Sequence, residues 1–307
     1  MLKRVIVTNY LGKSVEYSFE EPTIDDESGL FITSIDGLGP VKADINMTKL
    51  ATADGQIYNS SRLQGRNVVI KGRFTFAKTV EEARLMSYKF FPIGHKLTFQ
   101  IETDNRFAET TGYVESNDPD IFSDASSVQI SVLCESPYFI SSKKADNKRT
   151  NFSNVIPQFE FPFSNESTSQ KLITFGSIVY KKENTVYYDG DAETGCKIHI
   201  HAIGDVEMIQ IVNVKTREKM IIDTDKLETL TGHKIIQGDT IDINTIKGQK
   251  SITLLRNGRT TNILNVLGKD ADWFQLARGD NLFAYTATYG EANVQFVIES
   301  QTIFEGV

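Results

Sequence analysis

The sequence has little of the chemistry that marks an enzyme or a metalloprotein: two cysteines, four histidines and one tryptophan in 307 residues. Cys134 and Cys196 lie too far apart in the chain to outline a disulfide framework or a multi-cysteine metal site. Both read as small core hydrophobes of a protein made in a reducing cytosol. No stretch approaches the roughly 20 apolar residues that span a bilayer, and in the opening segment Asn9, Lys13 and Glu16 interrupt the apolar run before a signal-peptide core could form. No membrane partner is expected. A dense basic run is also missing: 33 Lys and Arg stand against 40 Asp and Glu, a formal charge of -7. Tight nucleic-acid binding, which needs clustered cations to neutralise phosphates, is disfavoured.

What is present is patterning. The length exceeds the usual size of one hydrophobic core and predicts two domains. Turn formers at Glu21, Pro22, Asp25, Asp26, Ser28 and Gly29 precede Leu30-Phe31-Ile32, and a second turn follows at Gly37-Leu38-Gly39-Pro40. Val41 to Arg66 is largely polar and reads as a hairpin about Ala53-Asp54-Gly55-Gln56, because Asp-Gly favours a tight turn. Val68, Ile70, Phe74 and Phe76 alternate with Val69, Lys71, Arg73 and Thr75, a half-buried strand. Thr79 to Phe91 is the one convincing helix, with a capping box at Thr79 and Glu82, an apolar face of Ala83, Met86 and Phe90, and a stop at Pro92 and Gly94. Two further strands carry Leu97, Phe99, Ile101 and Val128, Ile130, Val132. One helix among strands gives a barrel-like α+β domain over residues 1–145. A polar stretch after Phe139 marks the boundary. Residues 146–307 then alternate short strands with turn signals such as Asp189-Gly190 and Asn257-Gly258, and read as a β-sandwich without helices.

No catalytic constellation emerges. Gly37-Leu38-Gly39-Pro40 lacks the third glycine and the following helix of a phosphate loop, and no Gly-x-Ser-x-Gly occurs. His95 and His233 read as surface positions. His199 and His201, two apart on a strand, share a face and could share a metal. Cys196, Ile198, Ile200 and Ala202 occupy the opposite, apolar face, so a solvated sheet surface is expected for the histidines. Asp189-Gly190-Asp191 and Asp223-Thr224-Asp225 lack the glycine and distal glutamate of an EF-hand and read as turns. Trp273 could stack on a sugar, but core filling beside Phe274 is favoured. The expectation is of no catalytic residue, no metal and no cofactor.

The segment Ile32 to Arg73 resembles the amino-terminal signature of the distal tail protein family of phages that infect Gram-positive bacteria. Its components are a Gly-Leu turn, a hairpin with Asp-Gly, an Arg-x-x-x-Arg at Arg62 and Arg66, and an alternating strand. Cys134 to Tyr138 resembles that family's domain end, with Ser136 where Asp is usual. Gln158 to Phe163, the turn Gly190-Asp191-Ala192-Glu193-Thr194-Gly195, Ile243-Asn244-Thr245, Leu276 to Asn281 and Gly306-Val307 resemble motifs of its second half.

The resemblance implies a mainly β protein with a barrel-like first domain that closes into a hexameric ring. A galectin-like β-sandwich would project outward. The implied partners are five further copies of the chain, the tail-tube protein above, a tail-tip protein below, receptor-binding proteins on the outer domain, and the tape-measure protein. DNA would pass through without specific binding, and the assembly would sit at the tail tip of a virion built in the host cytoplasm. A ring needs two different patches that meet with a closing rotation. The hairpin is the expected arm, with Asp54, Gly55, Arg62 and Arg66 as interface residues and the two arginines pairing with a neighbour's carboxylates.

Overall fold

A computed structural model describes residues 1–18, 28–50, 54–74, 79–122, 127–143, 146–157 and 176–307, and for 153–157 and 176–180 the backbone alone. Glu21, Pro22, Asp25, Asp26, Ala53, Thr75, Phe76 and the motif Gln158 to Phe163 lie outside the described residues. The chain divides into two compact units, Met1–Asp146 with Ile303–Val307, and Asn147–Thr302.

The first unit contains β1 (Leu2–Thr8), β2 (Ser14–Ser18), β3 (Leu30–Asp36), β4 (Ala43–Lys49), β5 (Gln56–Leu63) and β6 (Arg66–Phe74), followed by helix α1 (Val80–Phe90). β7 (Lys96–Thr103), β8 (Phe107–Pro119), β9 (Ser127–Cys134) and β10 (Phe139–Ser141) complete its main run. Among the described residues seven strands form one antiparallel path, β2-β1-β7-β8-β9-β6-β3, whose two end strands do not pair with each other, a curled half-barrel. Strict alternation drives this arrangement. In β6 Val68, Ile70 and Phe74 are buried, as are Leu97, Phe99 and Ile101 in β7 and Val128, Ile130 and Val132 in β9. Each such large apolar side chain contributes about 1.5–3 kcal/mol by leaving water. Helix α1 closes the core with Ala83 and Phe90, while Ser87 rather than Met86 is the third buried residue of its face. Thr79 caps it as expected, its hydroxyl accepting the Glu82 N–H at 3.2 Å.

The second unit begins with β11 (Lys148–Asn151), β12 (Ser153–Pro157), β13 (Gly176–Tyr180), β14 (Glu183–Tyr188), β15 (Cys196–Ala202), β16 (Glu207–Asn213) and β17 (Lys219–Ile222). Helix α2 (Thr224–Thr231) follows, then β18 (Thr240–Asn244), β19 (Ser251–Arg256), β20 (Arg259–Asn262), β21 (Gly279–Tyr289) and β22 (Val294–Ser300). A six-stranded sheet, β11-β22-β15-β18-β19-β20, and a four-stranded sheet, β14-β21-β16-β17, bury their inner faces in one hydrophobic cluster. That is a β-sandwich. The last strand, β23 (Ile303–Phe304), pairs with β10 and so belongs to the first unit.

Three expectations need correction. The sandwich does carry a helix, α2, because Asp223 is its N-cap and not merely a turn residue, accepting the N–H groups of Asp225 and Lys226 at 3.1 Å. The strand pattern, expected to stop at the polar stretch after Phe139, continues through it in Ser141 of β10 and all of β11. Residues 303–307 return to the first unit, whereas sequence order had assigned them to the second.

Candidate assembly surface

β4 and β5 form a two-stranded sheet of their own, inserted between β3 and β6, which pair with each other directly. The excursion is therefore an arm rooted at both ends in the main sheet. Every residue of its two strands is exposed except the half-buried Leu63. The register places Ala43 opposite Leu63, Ile45 opposite Ser61 and Met47 opposite Tyr58, with a bulge between Asn46 and Met47. Because opposed residues share a face, Ala43, Ile45, Met47, Tyr58 and Leu63 line one side, with Ser61 among them and Lys49 and Gln56 at its far end. Asp44, Asn46, Thr48, Asn59, Ser60 and Arg62 line the other together with Ile57, which lies opposite Thr48, and there Asn59 Nδ2 donates to Thr48 Oγ1 at 2.6 Å. The first side is thus the more apolar of the two, and it is open: Ile45, Met47 and Tyr58 are each about half exposed (56%, 47% and 57%). An isolated two-stranded ribbon is marginally stable in water.

Asp54 and Gly55 stand exposed at the arm's tip, Gly55 with φ of +103°. Arg62 is exposed opposite Asp44, whose carboxylate accepts from Gln64 Nε2 at 2.7 Å. Arg66 is different, and here the expected arginine pair fails. Its side chain is 1% exposed. Nη1 donates to the carbonyls of Gly37 and, at 2.6 Å, Gly39; Nη2 donates to those of Pro137 at 2.7 Å and Glu305 at 2.6 Å. The guanidinium also lies 4.0 Å above the Phe139 ring. Burial pushes its pKa below the ordinary arginine value, with Cys134 opposing. Arg66 is an internal tie at the arm's root and is not available to a neighbour's carboxylate.

Beside α1 lies a shallow, mostly apolar groove of about 560 Å³, lined by Asn9, Tyr10, Leu11, Lys13, Met86, Lys89, Phe90 and Pro92. Sequence reading missed it, since it is assembled from the β1–β2 turn and a helix far along the chain.

In the second unit, His199 and His201 do share the outer face of β15, and Cys196, Ile198, Ile200 and Ala202 are buried on the inner one. His199 Nδ1 is 2.6 Å from Asp242 Oδ1 and its Nε2 is 3.4 Å from Glu299 Oε2. His201 Nδ1 is 3.0 Å from Thr240 Oγ1, so each ring has its own cross-strand neighbours. Trp273 is half-buried, packs against the sandwich core and has Lys250 Nζ 5.1 Å from its ring.

The motifs of the second half turn out to be fasteners. A Cβ on Gly195 would lie 2.4 Å from Ile246 N, and one on Gly190 would lie 1.9 Å from the Tyr188 hydroxyl oxygen. The buried Thr245 hydroxyl accepts the Cys196 N–H at 2.8 Å and lies 2.8 Å from the Phe274 carbonyl as donor. Asn281 bridges Ala277, Gly279 and Val186 through its amide.

These two units define a mainly β protein with a curled sheet, an inserted arm and a sandwich. No family model matches the chain, and no curated protein matches its sequence. Its structure is similar to the crystal structure of phage SPP1 Dit (gp 19.1), described as a paradigm of the hub adsorption apparatus in phages infecting Gram-positive bacteria. The TM-score is 0.65 at 9% identity, over 98% of this chain and 99% of that one. Chains of the phage P2 baseplate in its activated conformation, with Ca and with Sr, overlay at TM-scores of 0.43 and 0.41, with 10% and 9% identity. They cover 97% and 98% of this chain and 98% of each of theirs. By the SPP1 Dit overlay, the chain has a Dit-like fold.

Proposed function

We propose that this chain is the non-enzymatic structural hub of a phage tail tip or baseplate, a Dit protein in role as well as in fold. The near-complete overlay on SPP1 Dit carries the reading. In it, six copies form a ring that joins the tail tube above to the tip protein below, and the sandwich faces outward to dock receptor-binding proteins. DNA crosses the ring without binding, in keeping with a chain that has no dense basic run.

The arm supports this role physically. A heterologous ring contact needs two different surfaces on each subunit. The apolar side of β4 and β5 is one surface that folding leaves in water, and association removes that cost. Asp54, Gly55 and Arg62 stay in the proposal as arm residues; Arg66 takes part only by holding the arm's root. Negative-stain images and mass photometry of the purified chain, alone and with its tail-tube protein, test the reading. Sixfold rings are expected in at least one condition, and monomers in both would overturn it.

A further inference from the structure

We infer that Arg66 and the segment Glu305–Val307 form a clamp that sets the direction of the arm, making Arg66 a positioning residue for assembly. Four main-chain carbonyls converge on one buried guanidinium, and they come from three places. Gly37 and Gly39 belong to the strand of chain that enters the arm, Pro137 to the turn before β10, and Glu305 to the segment after β23. Arg66 itself is the first residue of β6, three positions after the arm's last residue, Leu63.

The same segment grips the arm's near end independently of Arg66. Val307 N–H donates to the Leu38 carbonyl at 3.1 Å. Gly306 lies so close to Pro40 and Leu38 that a Cβ there would sit 3.1 Å from Pro40 Cδ and 3.2 Å from the Leu38 carbonyl oxygen. Arg106 Nη1 donates to the Gly306 carbonyl, and its guanidinium lies 4.4 Å from the centre of the Phe304 ring.

Only an arginine meets this demand. Its rigid fork offers five N–H donors in fixed directions, so one residue can reach four separate carbonyls, whereas a lysine has three donors on one atom. Removing the fork takes away four part-buried hydrogen bonds at once, which loosens the segments they tie together. The loosened segment is the arm's root. A ribbon with no core of its own takes its direction from that root, and a ring closes only if each arm meets the next subunit at the same angle.

The test compares four samples: wild type, Arg66→Met, Arg66→Lys, and a chain truncated after Phe304. Met keeps the apolar stem over Phe139 while removing every donor; the truncation leaves Arg66 in place and takes away the Glu305 carbonyl and the Val307 tie. Thermal melts establish that each variant is folded. Limited trypsin digestion of the monomer then reads cleavage within residues 43–63, with an expected acceleration on the order of tenfold or more in Arg66→Met and the truncation, and Arg66→Lys falling between Met and wild type. Ring yield in negative stain is expected to collapse in parallel.

As far as it concerns rings, the inference rests on the hub reading, and the two fail differently. Wild type that never forms rings defeats the hub reading and leaves the protease rates to judge the clamp. Folded variants with wild-type cleavage rates or wild-type ring yield overturn the clamp. Should Arg66→Met not fold, the truncation alone decides.

Discussion

Gly37 and Gly39 flank one leucine and look equivalent in the sequence, but their surroundings differ completely. Gly37 has φ of +87°, and a Cβ there would fall 2.0 Å from the Asn67 carbonyl oxygen; Gly39 has open space around it. Gly37→Ala is expected to cost about 1–3 kcal/mol through overpacking and a strained backbone, and Gly39→Ala to stay within about 0.5 kcal/mol. Urea unfolding of the pair measures the contrast, and equal midpoints would contradict it. The cysteines follow the same logic of surroundings. Both are buried, and desolvation raises the Cys196 thiol to about 12. Neither should react with a thiol reagent at pH 8 until the protein unfolds; stoichiometric labelling of folded protein within minutes would show the burial to be wrong.

At the scale of elements, strands were legible where alternation was strict. β15 reads directly as apolar and polar residues in turn, and the Asn257-Gly258 pair, with φ of +51° and +75°, makes the two-residue turn between β19 and β20. Helix α2 was illegible because eight residues with Leu227 as the single buried apolar side chain give no periodic stripe. Its signal lay in the caps, Asp223 before it and Gly232 after it in the left-handed conformation. Asp223→Ala is expected to cost about 1 kcal/mol at neutral pH. The Lys226 N–H above all holds the Asp223 carboxyl below its ordinary pKa. Its contribution is therefore full above the unfolded-state value and disappears as pH falls through the depressed one. The gap between mutant and wild-type stability should close in acid; a gap that persists at pH 2 would assign the effect to something other than the charged cap.

For the whole molecule the decisive surface is the arm. Met47→Asp with Tyr58→Asp places charge on its open apolar side, where neither residue supports a core. The double variant is expected to melt like wild type and to lose ring formation; rings at normal yield would remove the arm's apolar side from the interface. The arm was legible as a hairpin because Asp-Gly sits between two polar runs. The bulge between Asn46 and Met47, which alternation alone does not reveal, decides that Tyr58 faces the same side as Met47 and Ile57 the same side as Thr48.

By itself the sequence determined the β character, the position of α1, the hairpin and the poverty of catalytic groups, because these follow from local periodicity and residue type. Tertiary structure decided which of two similar arginines is exposed. Arg62 and Arg66 are equally polar in sequence, but only the fold brings the carbonyls of Gly37, Gly39, Pro137 and Glu305 around one of them. Glu305 lies 239 positions from Arg66. A contact across that separation is fixed by the pairing of β10 with β23, and no local preference of the chain encodes it.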